Sequence, residues 1–187
     1  IKDKVKPTMV IHIGDLVDFH AISQHLHSAE LPNIKYEIKD AIKCIQKLHK
    51  IFPGPLKILN GNHDIRIQRL AEKSLIPNSF LKNINDILEI NLPNKNPIFF
   101  THNFKTNVLS SSKELGMSLV TGHQHTKSSI EYWSSPTALN FSLCTGCSIN
   151  PKHEAFKYGK NFIKRPIISV ASIINSSPTI HSMPIVD

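Results

Sequence analysis

Short apolar runs alternate with a helical pattern along the first third of the chain. Thr8–Ile13 is an apolar run that stops at Gly14, which predicts a buried parallel strand. Between Ile38 and Ile51 apolar residues recur at helical spacing with lysines between them, which predicts an amphipathic helix with a solvated face. Leu56–Leu59 is the next predicted strand. The order strand, helix, strand predicts a right-handed crossover between parallel strands.

The rest of the chain carries the pattern of further helices and strands. The further predicted helices are Ile65–Ser74, Phe80–Leu88 and Ser110–Leu115, with Gly116 as the cap of the last one. A third and a fourth strand are predicted at Pro97–Thr101 and Met117–Thr121. Antiparallel strands are then predicted at Ile130–Trp133, Ala138–Cys144, Pro166–Ile174 and Thr179–Pro184, with a polar loop at Asn150–Lys164. Because no repeat or linker interrupts this order, we expect residues 1–187 to form a single domain.

Composition indicates a globular protein in a reducing compartment. The chain has 187 residues, 40% of them hydrophobic and 19% charged, which is enough for one core. No apolar run approaches the roughly 20 residues of a membrane helix, so we expect no membrane partner. Three cysteines do not make a disulfide framework, which predicts a cytoplasmic location. Because the chain begins with Ile1 rather than Met, we expect its N-terminus to be incomplete or processed.

The net charge of +8 favours anionic partners. Part of this charge lies on the first predicted helix, at Lys39, Lys43, Lys47 and Lys50. Two interpretations of this basic face stay open. It is either a plain solvent-exposed face or a stripe that binds nucleic acid, and the lack of interleaved aromatic residues favours the first.

Each of the first four predicted strands is followed by a side chain that can bind a metal ion. The set provides one carboxylate, one amide and three imidazoles: Asp15, Asn62, His102, His123 and His125. Because the carboxyl ends of parallel strands meet at one edge of a sheet, we expect these side chains to converge on one site. His123 and His125 are two positions apart, so an extended backbone would point both to the same side. This mixture suits a divalent cation.

The tetrapeptide Gly61-Asn62-His63-Asp64 directly follows the second predicted strand. Asn, Gly and Asp are common turn residues, so the tetrapeptide alone is also typical of a simple turn. A histidine with an acidic neighbour is, in addition, a tuned proton donor. Turn and cap chemistry is the alternative for the whole set of strand-end residues, but four such strand ends in succession favour a functional site.

The ordered set of motifs resembles the calcineurin-like metallophosphoesterases. The motifs are Gly14-Asp15, Gly61-Asn62-His63-Asp64, Thr101-His102 and Gly122-His123-Gln124-His125. The stretch from Gly14 to Phe19 is similar to a phage or prokaryotic branch of that family. The resemblance covers nearly the whole chain from Thr8 onward. It implies an α/β fold, specifically an αββα four-layer sandwich of mixed sheets flanked by helices.

The resemblance implies a site for two divalent metal ions. At the matching positions, Asp15 would bridge both metals, Asn62, His102 and His123 would complete one of them, and His125 would bind the other. The ions would be drawn from Mn, Fe, Zn, Ni and Co, among which this ligand mixture does not choose. Two ions about 3.5–4 Å apart generate a bridging hydroxide that attacks the phosphorus, and they stabilise the charge of the transition state.

The resemblance also implies catalytic roles for His63 and Asp64. His63 would donate a proton to the leaving group, a contribution on the order of 10²–10⁴ in rate, and Asp64 would orient it. The implied activity is hydrolysis of phosphomonoesters or phosphodiesters. The partner is then a phosphorylated substrate, and nucleotides and nucleic acids are among the candidates.

One departure from the family concerns the start of the chain. The family begins with Asp-x-His at the end of a strand that precedes the Gly-Asp strand, and that pair binds the same metal as His125 would. We therefore expect the domain at residues 1–187 to be N-terminally incomplete. Asp18-Phe19-His20 matches Asp-x-His formally, but it lies on the same loop as Asp15, and we do not expect it to replace the pair.

Two other functions stay open. A non-catalytic or truncated descendant would keep a residual metal site and act as a binding or assembly module. A nucleic-acid-binding module without catalysis rests only on the basic charge. It predicts DNA binding with a steep salt dependence that changes at Asn62 or His63 do not alter.

The remaining candidate residues have structural interpretations. Cys144 and Cys147 are expected in the core or at a strand end, and His12 is expected to pack within its strand. Asp18 is expected to hydrogen-bond within its loop or to cap the segment after it, with support of the site as the alternative. Surface positions are expected for His25, His27, His49, His153, Lys157 and Lys164, and contact with a phosphate is the alternative for the last three.

Overall fold

The computed structural model describes residues 2–22, 33–82, 98–148 and 165–183 of the chain. From Lys6 onward they belong to two compact units, an N-terminal unit within residues 6–93 and a C-terminal unit within residues 94–187. A four-residue helix, α1 (Lys2–Val5), comes before both in the sequence. That residues 1–187 form a single domain stays a prediction.

The N-terminal unit contains two short strands with helices between and after them. Its elements are β1 (Val10–His12), a 3₁₀ helix (His20–Ile22), α2 (Ile34–Ile51), β2 (Leu56–Ile58), α3 (Arg66–Lys73) and a second 3₁₀ helix (Asn78–Phe80). β1 and β2 pair in parallel, with Val10 opposite Leu56. The predicted strand, helix and parallel strand are therefore confirmed, and His12 lies partly buried in β1.

Helix α2 begins four residues before its predicted start. Asn33 supplies the N-cap, because its side-chain oxygen accepts a hydrogen bond from the Lys35 backbone N–H at 2.9 Å. The polar stretch after Ile34 hides this start from an analysis of apolar spacing. The apolar face of α2 covers the loop after β1, and its contributors are Ile34, Ile38, Ile42 and Ile45, which pack against Val17, Phe19 and Ala41. The helix thus anchors that loop.

The C-terminal unit contains a four-stranded mixed sheet and a hairpin. Its elements are β3 (Phe99–Thr101), α4 (Val108–Leu115), β4 (Leu119–Thr121), β5 (Ser128–Ser134), β6 (Leu139–Thr145), β7 (Ser169–Ile174) and β8 (Ser177–Ser182). The sheet has the order β3-β4-β6-β5, in which β3, β4 and β6 are parallel and β5 is antiparallel to β6. β7 and β8 form the antiparallel hairpin. The late strands are thus present, but β6 also has a parallel neighbour.

The expectation that four strand ends share the edge of one sheet is wrong. Among the described residues, β1 and β2 form a two-stranded sheet, whereas β3 and β4 belong to the four-stranded one. β6 follows the antiparallel strand β5 in the sequence. It pairs in parallel with β4, on the edge of β4 opposite to β3. An apolar run specifies a strand but not its lateral neighbours, since backbone hydrogen bonding is the same for every residue type.

Helix α4 and the strands beneath it form the core of the C-terminal unit. Asn107 caps the helix by accepting a hydrogen bond from the Ser110 N–H at 3.0 Å, and Gly116 ends it in the left-handed conformation at φ 68°. The predicted Gly116 cap is therefore confirmed. Cys144 and Cys147 are buried and unbridged, as expected, and burial raises the pKa of the Cys144 thiol. Val108 and Leu119 pack around Cys144.

Some predictions fall on residues outside the described part of the chain. They are the greater part of the helix Phe80–Leu88, the loop Asn150–Lys164, and the surface positions of His25, His27, His153, Lys157 and Lys164. His49 is described, and it is exposed as expected. Within the described ranges, no helix combines the length and the apolar composition that crossing a membrane requires.

Gly61 lies where the segment after β2 passes closest to the segment after β1. A Cβ atom at this position would come within 2.0 Å of Asp15 Oδ1 and 2.3 Å of the Asp15 backbone nitrogen. Because the backbone at Asp15 cannot rotate out of the way as a flexible side chain could, this position requires glycine.

We expect Gly61→Ala to lower the free energy of unfolding by about 1–3 kcal/mol, the usual cost of an overpacked site. Urea unfolding followed by circular dichroism measures the change. Gly54→Ala is the matched control, because its Cβ would meet only the Thr8 carbonyl oxygen, at 3.4 Å. Equal losses in the two variants would show that Asp15 does not press against Gly61.

Candidate functional site

The buried carboxylate of Asp64 ties together the loops that follow β1 and β2. Its Oδ2 accepts hydrogen bonds from the backbone N–H groups of Asp15 and Gly61, both at 2.7 Å, and its Oδ1 accepts one from Val17 at 3.0 Å. A carboxylate is acceptor-only and can satisfy several amides at once. Asp64 therefore shapes the backbone of the site. The sequence predicts instead that Asp64 orients the His63 ring, and within the described part of the chain the hydrogen bonds of Asp64 do not include that ring.

Asp15 is held in an uncommon backbone conformation directly beside His63. It lies in the left-handed region at φ 53°, after Gly14 at φ 81°. Its Oδ1 accepts a hydrogen bond from the His63 backbone N–H at 2.9 Å, and its Oδ2 lies 4.0 Å from His63 Nε2. Strain of this kind persists where the surroundings over-determine the chain, and it is concentrated at functional sites.

The carboxylate that contacts the His63 ring is that of Asp18. The Nδ1 atom of His63 is hydrogen-bonded to Asp18 Oδ1. The other carboxylate oxygen, Oδ2, lies 3.1 Å from His20 Nδ1. Both expectations for Asp18 are therefore met, because it hydrogen-bonds within its loop to His20 and also contacts the His63 ring. His20 shares the same carboxylate, so the formal Asp18-Phe19-His20 motif belongs to the His63 cluster.

Arg66 at the start of α3 completes the cluster. Its Nη1 donates to the Asp18 backbone carbonyl at 2.7 Å and lies 3.4 Å from Asp18 Oδ1, and its Nη2 lies 3.4 Å from His63 Nε2. Burial alone would raise the pKa of the Asp18 carboxyl. The hydrogen bond and charge of His63, with the charges of Arg66 and His20, outweigh burial and hold that pKa below its ordinary value. Asp18 is therefore an anion near neutral pH.

In the C-terminal unit, His102 and His123 follow the neighbouring strands β3 and β4. The Nε2 atom of the buried His102 lies 3.1 Å from Nδ1 of the exposed His123, and the two rings meet edge to face at 75°. The His102 carbonyl accepts hydrogen bonds from Gly122 N and Thr121 Oγ1, at 3.1 and 3.0 Å. The two loops are thus fixed to each other at the point where the imidazoles converge.

The expectation that an extended backbone aligns His123 with His125 is wrong. His123 has φ 61°, in the left-handed region, and the following residues form tight turns. In these turns Gln124 N donates to the Gly122 carbonyl at 2.7 Å, and His125 N donates to the His123 carbonyl at 3.0 Å. Alternation of side chains holds only in extended chain, so the spacing of two does not place these histidines on one side.

The histidine pair of the C-terminal unit fits a divalent metal ion. A metal that binds two imidazole nitrogens at about 2.1 Å, with a near right angle between them, holds those nitrogens about 3.0 Å apart. The observed 3.1 Å between His102 and His123 matches this requirement. In the N-terminal unit Asp15 provides a carboxylate, and the partly buried Asn62 lies in the turn after β2.

Arg66 is a residue of the His63 cluster that its sequence position could have revealed. It lies three residues after His63 at the start of a predicted helix, which is the spacing of neighbouring side chains. Asp18 was identified, but nothing in the sequence pairs it with His63 across 45 positions.

We expect Asp64→Asn to lower the free energy of unfolding by about 2–3 kcal/mol. In this variant an NH₂ group replaces one of the two acceptor oxygens, so a donor would face a backbone N–H that also donates. Chemical denaturation measures the loss. Asp40→Asn is the control, since Asp40 is exposed and forms an ion pair with Lys43 on the surface of α2. A loss no larger than that of the control would contradict the role assigned to Asp64.

Comparison with known proteins places the chain in a family. The model of the calcineurin-like phosphoesterase family matches residues 1–159 of the 187. No curated protein matches the chain. The matched region includes every strand-end motif, and the mixed sheets with their helices agree with the predicted metallophosphoesterase type of α/β fold. The chain belongs to the calcineurin-like phosphoesterase family.

Proposed function

We propose that this protein hydrolyses phosphomonoesters or phosphodiesters with the help of bound divalent metal ions, and that His63 donates the proton to the leaving group. Membership of the phosphoesterase family supports the reaction class. The observation that carries the proposal is the His63 cluster, in which Asp18 holds one ring nitrogen while Arg66 and Asp15 lie near the other.

The proposed metal ligands are the strand-end residues of the family motifs. By that resemblance Asp15, Asn62, His102 and His123 would serve as ligands, and His125 would serve a second ion. Within the C-terminal unit, the spacing of the two imidazole nitrogens supports the roles of His102 and His123. Divalent ions held there would supply Lewis acidity that activates water and offsets the charge of the phosphate. We propose that the site binds two divalent ions, and that they are drawn from Mn, Fe, Zn, Ni and Co.

The cluster residues divide the work of proton donation. Asp18 would accept a hydrogen bond from Nδ1 of His63, which fixes the ring plane and leaves Nε2 as the atom that would carry the transferable proton. Arg66 anchors the loop of Asp18 through its backbone carbonyl. Asp64 holds the amides of Asp15 and Gly61, so that the loop carrying His63 keeps its distance from the loop carrying Asp15. His63 is thereby presented in one orientation.

The phosphorylated substrate is proposed only as a class, in which nucleotides and nucleic acids are included. A metal-binding module without catalysis is the alternative function, and it would keep the metal ligands while making no use of the His63 cluster. A cytoplasmic location stays a prediction.

We expect His63→Ala to retain the metal content of the wild type and to lower kcat for a generic aryl phosphodiester about 10²–10⁴-fold, the usual contribution of a general acid. Elemental analysis and steady-state kinetics with added Mn²⁺ measure the two quantities. His49→Ala, at the exposed end of α2, is the matched control. If His63→Ala lost metal and turnover together, His63 would be a ligand instead of the proton donor.

We expect Asp15→Asn to weaken metal binding by the chain at least about tenfold, because a neutral amide replaces a charged ligand. Titration with Co²⁺, read from its visible absorption, measures the dissociation constant. Asp40→Asn serves as the control. An unchanged Co²⁺ titration would show that Asp15 is not a metal ligand.

A further inference from the structure

Helix α2 contacts the His63 cluster through one side chain, that of Glu37. Its Oε1 accepts hydrogen bonds from two successive backbone amides, Asp18 N–H at 2.5 Å and Phe19 N–H at 2.6 Å. Asp18 is the residue whose carboxylate contacts the ring of His63. Glu37 therefore holds the backbone of the residue that holds the proposed proton donor.

The segment held by Glu37 has a conformation that needs such support. Phe19 lies in the left-handed region at φ 47° and is fully buried, although that region is unfavourable for a bulky side chain. Its ring packs in the cluster formed with Val17 and Ala41. A strained conformation persists only where the surroundings over-determine it, and here the ring and the two amide hydrogen bonds together provide that constraint.

A buried carboxylate is a costly way to bind two amides. The second oxygen of Glu37, Oε2, is buried and has no hydrogen-bond partner among the described residues. Burial raises the pKa of Glu37, and the nearby negative charge of Asp18 adds to that effect, against the two amide hydrogen bonds. If α2 had only to pack on the loop, an apolar side chain would do so without this cost.

We propose that Glu37 is a positioning residue for proton donation, acting through Asp18 on His63. The inference rests on the proposed function and adds to it a residue from a helix that carries none of the family motifs. In this role Glu37 sets the position of Asp18 along the loop, while Arg66 holds the same residue by its carbonyl. Loss of Glu37 would let the Asp18 carboxylate move away from the imidazole without touching a metal ligand.

The test compares Glu37→Ala, Glu37→Gln, Asp18→Ala and the double variant Asp18→Ala/Glu37→Ala. We expect Glu37→Ala to lower kcat about tenfold or more with KM and metal content within twofold of the wild type. Glu37→Gln keeps an acceptor oxygen for both amides, so its kcat should lie within about threefold of the wild-type value. In the Asp18→Ala background, Glu37→Ala should not lower kcat further, because the effects of two substitutions that act through one contact are not additive.

Asp40→Ala on the same helix is the control, since Asp40 is exposed and pairs with Lys43. Three results would overturn the proposal: a Glu37→Ala effect that persists in the Asp18→Ala background, a loss of kcat that Glu37→Gln does not reverse, or a kcat no lower than that of the control. Each would reduce Glu37 to a structural contact of the loop.

A second measurement separates this proposal from the proposed function. If the wild type showed no turnover, the proposed function would fail, but the ¹⁵N resonance of His63 Nδ1 at one fixed pH would still report the contact with Asp18. We expect that resonance to move in Glu37→Ala toward its position in Asp18→Ala, and to stay in place in Glu37→Gln and Asp40→Ala. An unmoved resonance in Glu37→Ala would overturn the positioning role whatever the activity.

Discussion

The buried carboxylate of Asp64 is the interaction on which the geometry of the N-terminal site depends. The carboxylate accepts hydrogen bonds from three backbone N–H groups in the segments after β1 and β2. It thereby joins two loops that the short strands alone could not hold in register. Gly61 permits the close approach that this joining requires. The orientation of Asp15 and the position of the His63 backbone both follow from it. A residue without contact to the His63 ring therefore determines where that ring lies.

The sequence predicted most of the helices and strands but not how the strands combine. Apolar spacing located α2 and the two strands beside it, because a buried face imposes a period that the residues must follow. It could not assign β1 and β3 to different sheets, since lateral pairing depends on backbone groups that all residues share. β1 and β2 are also shorter than their apolar runs, since β1 leaves out Thr8, Met9 and Ile13 and β2 leaves out Leu59.

The candidate site was predictable where motifs are local and unpredictable where contacts are distant. The pair His102 and His123 lies together as the strand-end argument requires. The role of Asp64 was misjudged, since adjacency to His63 in sequence suggested a contact that the loop geometry gives to Asp18. Glu37 could not be found at all, because its contact with Asp18 spans 19 positions and involves only backbone amides. The placement of His125 relative to His123 could not be predicted for a related reason, the left-handed turn at His123.

The proposed chemistry is divided between a metal-binding set and a proton donor held by hydrogen bonds. We propose above all that the wild-type chain couples divalent metal binding to phosphoester hydrolysis. The most direct test is equilibrium dialysis of the 187-residue chain against Mn²⁺, with metal content per chain and hydrolysis of an aryl phosphodiester measured on the same samples. The account predicts that turnover rises in step with bound metal and is lost on chelation. Metal binding that brings no turnover would contradict it and would favour the non-catalytic binding module.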